Sequence, residues 1–206
     1  MSKKFKIEIS CDDGYASDLD IAKKMSKLEL RCTFYIPNQC MLNKEQIKKL
    51  SEEHEIGGHT VNHPQDLRIL SDEDLKYEIE MNKEYLENII GKKITKFCYP
   101  RGRFDDRVVE AVKNAGYEYA RTTKVLNIEH PKDLFRVNTT IHAYPDRSEY
   151  NGKSWYKIAR QQFLIAKTKN GYFHLWFHSR EVRRHKQNES LKTLLKLISR
   201  NKTGWV

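Results

Sequence analysis

The sequence predicts an α/β protein in which a parallel sheet or barrel forms a single domain. Short β-prone runs alternate with amphipathic helical runs along the chain, and the spacers between them are short. The chain has 206 residues, enough for one domain of ordinary core size, and it shows no internal repeat or linker. We therefore treat residues 1–206 as one domain.

The first half of the chain alternates strands and helices. The stretch 4–10 predicts a strand, because apolar side chains alternate with polar ones. The stretch 70–91 predicts the clearest helix, with Ser71 as its N-terminal cap and Gly91 at its end. The other elements predicted here are helices at 16–30 and 42–53 and strands at 31–37, 55–60 and 94–100.

The second half continues the alternation and brings the number of predicted strands to seven. The elements predicted here are helices at 105–116, 154–169 and 188–201, strands at 117–123, 134–141 and 171–179, and an irregular loop at 142–153. In parallel α/β folds, functional groups gather where strands end, at the carboxyl edge of the sheet. Polar residues at strand ends are therefore the candidates for function.

The composition limits the classes of protein to which the chain can belong. Charged residues make up 32% and hydrophobic ones 38%, which is typical of a soluble folded protein. No stretch approaches the roughly 18 consecutive apolar residues of a membrane span. The first residues lack the apolar segment of a secretion signal, and the four cysteines show no CxxC spacing. We therefore expect a cytoplasmic protein with free thiols.

The net charge of +10 favours anionic partners, such as a phosphorylated substrate, an acidic lipid or a nucleic acid. The basic residues recur along predicted helix faces and are densest at 179–187, without interleaved aromatic side chains. A solvated basic face fits this pattern better than a nucleic-acid site. We expect no nucleic-acid partner, and the oligomeric state stays open.

Two pairs of residues suggest a metal site. Asp12 and Asp13 follow the first predicted strand, and His59 and His63 stand four apart in a stretch bounded by glycines and a proline. Imidazole with carboxylate is a normal zinc set, and two histidines with one aspartate leave coordination positions open for water and substrate. That pattern is typical of a catalytic site, and two exposed loop histidines are the alternative.

A second pair of histidines lies on the last predicted strand. His174 and His178 share a face of this strand but stand about 13 Å apart, so they cannot bind one ion. His178 ends the strand and fits an acid–base role, whereas His174 fits a core histidine with a satisfied hydrogen bond. Trp176 fits a wall of the site or a packing residue. The other histidines have no partner motif and are expected to be surface or structural residues: His54, His130, His142 and His185.

The stretch 96–106 predicts a strand that breaks at Pro100 and opens through Gly102 into a helix. Such a break can present a backbone N–H to an oxyanion. It also brings Arg101 and Arg103 to the same edge of the sheet.

Taken in order, the segments SCDDG, HTVNH, FCYPRG and HLWFHS resemble the motifs of the polysaccharide deacetylase family, also known as the NodB-homology or carbohydrate esterase 4 family. The resemblance runs from about residue 5 to residue 180. It implies a distorted (β/α) barrel, here with seven parallel strands. The site residues that it implies are Asp12 as catalytic base, His178 as general acid, Asp13, His59 and His63 as metal ligands, and Pro100, Arg101 and Gly102 near the oxyanion.

The chain departs from the family pattern at several positions. Ser10 and Cys11 replace the usual Thr and Phe, and we expect Cys11 to point toward the helix layer. Cys98 stands where many members carry an arginine that holds the catalytic aspartate. We hypothesise that Arg121, at another strand end, takes the place of that arginine. The family's fourth motif, an Asp/Trp segment, has only a weak candidate in Trp155.

The resemblance implies hydrolysis of an N-acetyl group on an amino sugar, carried by a polysaccharide, an oligosaccharide, or a lipid-linked or nucleotide-linked glycan. We expect one divalent metal ion, zinc foremost with Co²⁺, Ni²⁺ or Fe²⁺ as alternatives, and an N-acetylated substrate that fits the basic chain best if it is anionic. Two alternatives stay open. One is hydrolysis of another C–N bond, as by a deformylase or cyclic amidase, and the other is a degenerate basic module that binds nucleic acid or acidic lipid.

Overall fold

Seven strands form one sheet in the computed structural model of the chain, which describes residues 4–201. The strands are β1 (Lys6–Asp12), β2 (Thr33–Ile36), β3 (Glu55–Gly58), β4 (Lys96–Cys98), β5 (Tyr119–Arg121), β6 (Ile141–His142) and β7 (Tyr172–Phe177). Their order in the sheet is β5-β4-β3-β2-β1-β7-β6, and all neighbouring strands run parallel. The predicted seven-stranded parallel architecture is confirmed.

Helices follow most of the strands and pack on the outer face of the sheet. They are α1 (Asp18–Lys27), α2 (Lys44–Glu53), α3 (Asp72–Ile90), α4 (Asp106–Asn114), α5 (Trp155–Thr168), α6 (Ser179–Arg184) and α7 (Asn188–Ser199). Ser71 caps α3 by accepting a hydrogen bond from the N–H of Asp74, and Gly91 ends it with a φ of 68°. Within residues 4–201, no helix is long and apolar enough to cross a bilayer.

One predicted strand is shorter than expected. The strand expected at 134–141 is reduced to an isolated bridge at Val137 and the two residues of β6. Thr139 bonds with the loop that follows β5, and Thr140 divides its bonds between that loop and His174 of β7. In the basic stretch 179–187 the arginine and lysine side chains are exposed, as expected of a solvated face, and helix α6 turns Val182 into the core.

The sheet curls until β1 and β5 face each other across its inner side. Three strands separate β1 from β5 in the sheet order, yet Arg121 of β5 contacts Asp12 of β1. Residues 137–142 then run from the bridge with β5 to β6 at the opposite edge, so they link the two edges of the sheet. The fold is therefore the distorted (β/α) barrel that the resemblance implies.

The outer face of β1 packs against the helices. Phe5, Ile7 and Ile9 are at most 5% exposed and belong to the main hydrophobic core. Cys11 continues this face, and its Sγ lies 3.4 Å from Oδ1 of Asp18 at the start of α1. Cys11 thus points toward the helix layer, as expected.

The inner face of the sheet is polar and aromatic, with Glu8 near its centre. The hydroxyls of Tyr119 and Tyr172 donate to Oε2 of Glu8 over 2.7 and 2.6 Å. His174 is 1% exposed, and its two ring nitrogens lie 2.8 Å from the Tyr172 hydroxyl and 2.9 Å from the Ser10 hydroxyl. His174 is therefore a core histidine with satisfied hydrogen bonds, as the sequence predicts.

Burial of this ring makes stability depend on pH. Burial lowers the pKa of His174 to about 3, whereas a histidine in the unfolded chain titrates near 6.5. Below pH 6.5 the unfolded chain therefore binds a proton that the folded protein does not bind. We expect the free energy of unfolding to fall as the pH drops from about 6.5 toward 3, with up to about 1.4 kcal/mol per pH unit from this residue.

Urea unfolding of the His174→Gln variant between pH 4 and 6.5 measures this contribution. The variant should show a shallower fall in stability with decreasing pH than the wild type, whereas His130→Gln, at a half-buried ring near the surface, should keep the wild-type slope. Equal slopes for the wild type and His174→Gln would contradict the expectation.

Candidate active site

The chain turns sharply after β1, at Asp13 and Gly14. Their φ angles of 80° and 65° both lie in the left-handed region. Gly14 has no room for a side chain, because a Cβ there would lie 2.7 Å from the Cβ of Cys40. The turn gives the two adjacent carboxylates different surroundings: Asp12 is 2% exposed inside the barrel, and Asp13 lies among histidines at its mouth.

A buried ion pair with Arg121 holds the Asp12 carboxylate. Nη2 of Arg121 donates to both oxygens of Asp12. The fully buried guanidinium lies between the rings of Tyr35 and Trp176, 5.1 and 4.8 Å from their centroids. Burial alone would raise the pKa of Asp12, but the charge of Arg121 outweighs it and holds the pKa below its usual value. Asp12 is therefore ionised at neutral pH.

Cys98, where the family resemblance expects an arginine, is the neighbour of Arg121 in the sheet. Cys98 of β4 and Arg121 of β5 are paired in register, and Sγ of Cys98 lies 3.8 Å from Oδ2 of Asp12. Both side chains thus reach the same carboxylate at the same level of the sheet. Arg121 binds the Asp12 carboxylate, as hypothesised, but from β5 and not from β4, where Cys98 stands.

Asp13, His59 and His63 form a cluster that we call the triad. The Nε2 atoms of His59 and His63 each lie 3.5 Å from Oδ1 of Asp13, and one ligand atom of each residue lies within 4.8 Å of the others. Residues 4–201 donate no hydrogen bond to this buried oxygen. Three possible metal ligands therefore converge around an unsatisfied carboxylate oxygen.

Neighbouring groups fix the ring of His59 and the backbone of His63. Nδ1 of His59 lies 2.7 Å from the carbonyl oxygen of Cys98, which can only accept a hydrogen bond. Nδ1 therefore carries a proton, and Nε2 faces Oδ1 of Asp13. The amide oxygen of Asn82 on α3 accepts the N–H of His59 over 2.8 Å, and Oγ1 of Thr60 accepts the N–H of His63 over 3.1 Å.

The triad fits a divalent metal ion. Burial and the charge of His59 lower the pKa of His63 to about 4, so its ring is neutral at pH 7. Burial would raise the pKa of Asp13, but the neighbouring histidines outweigh it and keep that pKa well below its usual range. An ionised carboxylate with two imidazoles, of which His59 would release a proton on binding the ion, is a ligand set that zinc and similar ions accept.

His178 joins this cluster from the end of β7. Its Nε2 lies 3.6 Å from Oδ2 of Asp13, and its Nδ1 lies 2.7 Å from Oε2 of Glu181. Burial would lower the pKa of His178, but the contact with Glu181 and the charges of Asp12 and Asp13 outweigh it and raise that pKa. His178 therefore holds a proton more readily than a free histidine does.

The segment Pro100–Gly102 forms a single 3-10 turn after β4, and one of its backbone donors is free. Pro100 has no N–H, and the N–H groups of Gly102 and Arg103 donate to the carbonyls of Tyr99 and Pro100. Within the described part of the chain, the N–H of Arg101 has no backbone acceptor. Arg101 adopts a φ of 57°. Of the N–H groups in this segment, the one of Arg101 is therefore the candidate for the predicted oxyanion donor.

Two predicted site residues, Trp176 and Arg121, are buried, and so is the weak fourth-motif candidate Trp155. Trp176 is 3% exposed and packs against Arg121, so of its two predicted roles, site wall or packing residue, the structure shows packing. Arg121 is fully buried and contacts Asp12, which leaves it no surface for a substrate. Trp155, the weak fourth-motif candidate, is 1% exposed and donates from Nε1 to Gln187, so it belongs to the helix layer.

Sequence reasoning missed Glu181 and His142, which both lie beside His178. Glu181 was part of a stretch interpreted as a solvated basic face, and His142 had no partner motif. The spacing of His178 and Glu181, three residues apart, was an available signal, since such residues are neighbours on a helix. His142 carried no such signal, because its partner Glu181 lies on a distant segment of the chain.

The chain matches the sequence profile of the polysaccharide deacetylase family over residues 2–120, more than half of its length. It is similar to the "putative polysaccharide deacetylase YxkH" of Bacillus subtilis, at 25% identity over 123 residues, 56% of this chain and 44% of that protein. It is 30% identical over 125 residues to the peptidoglycan-N-acetylmuramic acid deacetylase PdaA of Bacillus subtilis, 57% of this chain and 46% of that protein. The chain thus spans less than half the length of these relatives.

Solved structures share the fold at low sequence identity. BA3943 of Bacillus anthracis, a CE4 family pseudoenzyme, aligns with 100% of this chain and 64% of its own, with a TM-score of 0.69 and 15% identity. The deacetylase PplD of Streptococcus pyogenes, in complex with acetate, aligns over 65% of this chain and 62% of its own, with a TM-score of 0.61 and 21% identity. By its motifs, its fold and this profile match, the chain belongs to the polysaccharide deacetylase family.

Proposed function

We propose that the chain is a metal-dependent hydrolase that removes an N-acetyl group from an amino sugar. The observation that carries the proposal is the triad of Asp13, His59 and His63 between two proton-handling residues, Asp12 and His178. Because the fold also occurs in a pseudoenzyme, the proposal rests on these side chains and not on the architecture.

The five residues divide the reaction between them. The triad would hold the ion, and a bound zinc ion would polarise the amide carbonyl and acidify water. Asp12, kept ionised by Arg121, accepts a proton as water attacks the carbonyl carbon. His178 donates a proton to the amine nitrogen as the C–N bond breaks, which gives acetate and a free amino sugar.

An anionic substrate fits the mouth of the site. Arg101 and Arg180 are exposed, and neither pairs with a carboxylate among residues 4–201. Arg180 lies over the ring of Tyr15, with its Cζ 5.4 Å from the centroid, and Tyr15 contacts Asp13. Since PdaA is named for deacetylation of an acidic sugar, we propose an N-acetylated sugar that carries a carboxylate or phosphate.

The cellular compartment and the exact bond that is hydrolysed are further parts of the proposal. The four cysteines, Cys11, Cys32, Cys40 and Cys98, are free thiols, which suits a reducing compartment such as the cytoplasm. Hydrolysis of another C–N bond, for example of a formamide, uses the same residues. Assays of acetate and formate release over a panel of N-acylated sugars and nucleotide sugars separate these reactions.

Metal analysis of the purified protein tests the triad. We expect about one equivalent of divalent metal in the wild type and its loss in His59→Ala and His63→Ala, because each removes one of three protein ligands. His130→Ala, at a ring remote from the triad, is the matched control and should keep the metal. A wild-type protein that binds no divalent ion would contradict the proposal.

Replacing Asp12 tests the catalytic base. Asp12→Asn should be less stable than the wild type, because it leaves Arg121 buried without a carboxylate. Its folded form should retain the metal and lose deacetylation by a factor of about 10²–10⁴, since a positioned base contributes roughly that much. Acetate release and metal content are measured on the same sample. Full deacetylation by Asp12→Asn would remove Asp12 from the role of base.

Substitutions at Arg121 and Cys98 test whether the ion pair with Arg121 keeps the Asp12 carboxylate ionised and in place. Arg121→Ala leaves the Asp12 carboxylate buried without a cation, so we expect a loss of stability of about 3–5 kcal/mol and a loss of activity with an altered pH profile. The double variant Cys98→Arg/Arg121→Cys returns a guanidinium to Asp12 from the adjacent strand and should recover part of both.

The control for this pair is Arg136→Ala, which removes an exposed guanidinium paired with Asp106 and Asp133. It should change activity little. If Arg121→Ala keeps the activity and pH profile of the wild type, Arg121 does not serve Asp12.

A further inference from the structure

Glu181 on helix α6 contacts the ring nitrogen of His178 that points away from Asp13. His178 stands at the N-cap of α6, and Glu181 follows three residues later, which puts the two side chains on one face of the first turn. Oε2 of Glu181 lies 2.7 Å from Nδ1 of His178. An ionised carboxylate only accepts hydrogen bonds, so Nδ1 of His178 carries a proton and Nε2 faces the Asp13 side of the site.

His142 of β6 approaches the same carboxylate oxygen. Its Nε2 lies 3.3 Å from Oε2 of Glu181, within ion-pair distance, but makes no hydrogen bond in the described part of the chain. Its Nδ1 lies 3.4 Å from Nη1 of Arg147, and a guanidinium only donates. Burial lowers the pKa of His142 to about 4, so its ring is neutral at pH 7. Nδ1 of His142 therefore accepts from Arg147, and the proton of the ring sits on Nε2, the atom that lies 3.3 Å from Glu181.

Stacking fixes the ring of His142. It lies parallel to Trp176, with centroids 3.6 Å apart and planes 4° apart, and Tyr144 stacks on it with centroids 5.4 Å apart. Trp176 is held in turn by the guanidinium of Arg121, 4.8 Å from its centroid. His142 is 6% exposed and cannot leave this stack without opening the core.

We propose that Glu181 and His142 are the positioning residues of the acid: Glu181 fixes the orientation of His178, and His142 fixes Glu181. The inference rests on the proposed function, because it assigns how His178 delivers its proton. In that step the C–N bond breaks, the proton of Nε2 goes to the amine nitrogen, and the electron pair of the bond stays with the amine. Glu181 keeps its own charge throughout and acts through its contact with His178.

Two substrates with different leaving groups test the assignment. An N-acetylated amino sugar needs a proton on its leaving amine, whereas the nitrophenolate of para-nitrophenyl acetate leaves without one. We expect Glu181→Gln to slow release of acetate from the N-acetylated sugar about 100-fold and to leave hydrolysis of the aryl ester unchanged. His142→Phe, which keeps the stack on Trp176 but removes the donor, should show the same selectivity with a smaller loss.

The matched control is Glu189→Gln, the same change at an exposed residue of α7 that pairs with Lys192, and it should alter neither reaction. If Glu181→Gln slows both substrates equally, its role is structural and the proposal is wrong. A wild type that cleaves the aryl ester but no N-acetylated sugar would instead contradict the proposed function.

Nitrogen-15 spectra of the histidine rings test the geometry without any assay of activity. We expect His142 of the wild type to carry its proton on Nε2, and Glu181→Gln to shift the ring signals of both His142 and His178. A proton on Nδ1 of His142, or unshifted signals of His178 in a folded Glu181→Gln variant, would overturn the assignment.

Discussion

The buried ion pair between Asp12 and Arg121 is the contact on which the site depends. It joins β1 to β5 through the interior, although three strands separate them in the sheet. Loss of either partner leaves a charge inside the barrel, at a cost of about 3–5 kcal/mol. The same guanidinium supports Trp176, which stacks on His142, so one chain of contacts joins the surroundings of Asp12 to those of His178.

Adjacent carboxylates repel each other in solution, yet the turn at residues 13 and 14 lets this chain keep two. Asp12 forms an ion pair with Arg121 inside the barrel, and Asp13 contacts the imidazoles of His59 and His63 at its mouth. Each carboxylate therefore has its own compensating partners, and burial does not force either to take up a proton. Two neighbouring residues of one type can thus perform different tasks.

Local signals in the sequence were sufficient for most of the fold and for the residues that cluster at the mouth. The alternation along β1, the caps of α3 and the order of the Asp and His motifs all depend on neighbours within a few residues. Arg121 could be named as a candidate because it ends a strand. The contact between Glu181 and His142 could not, because it joins residues 39 apart that the pairing of β6 with β7 brings together. The shortened β6 also depends on contacts outside its own segment, since Thr139 and Thr140 bond with the loop that follows β5.

Four residues around the mouth, Asp13, Thr60, His63 and Arg101, adopt left-handed backbone conformations. Such conformations cost about 1–3 kcal/mol each in residues other than glycine. Glycine adopts these conformations without that cost, so glycine at one of these positions would relieve backbone strain but remove a side chain from the mouth. The stability of the backbone and the side chains of the candidate site therefore place opposite demands on the same four positions.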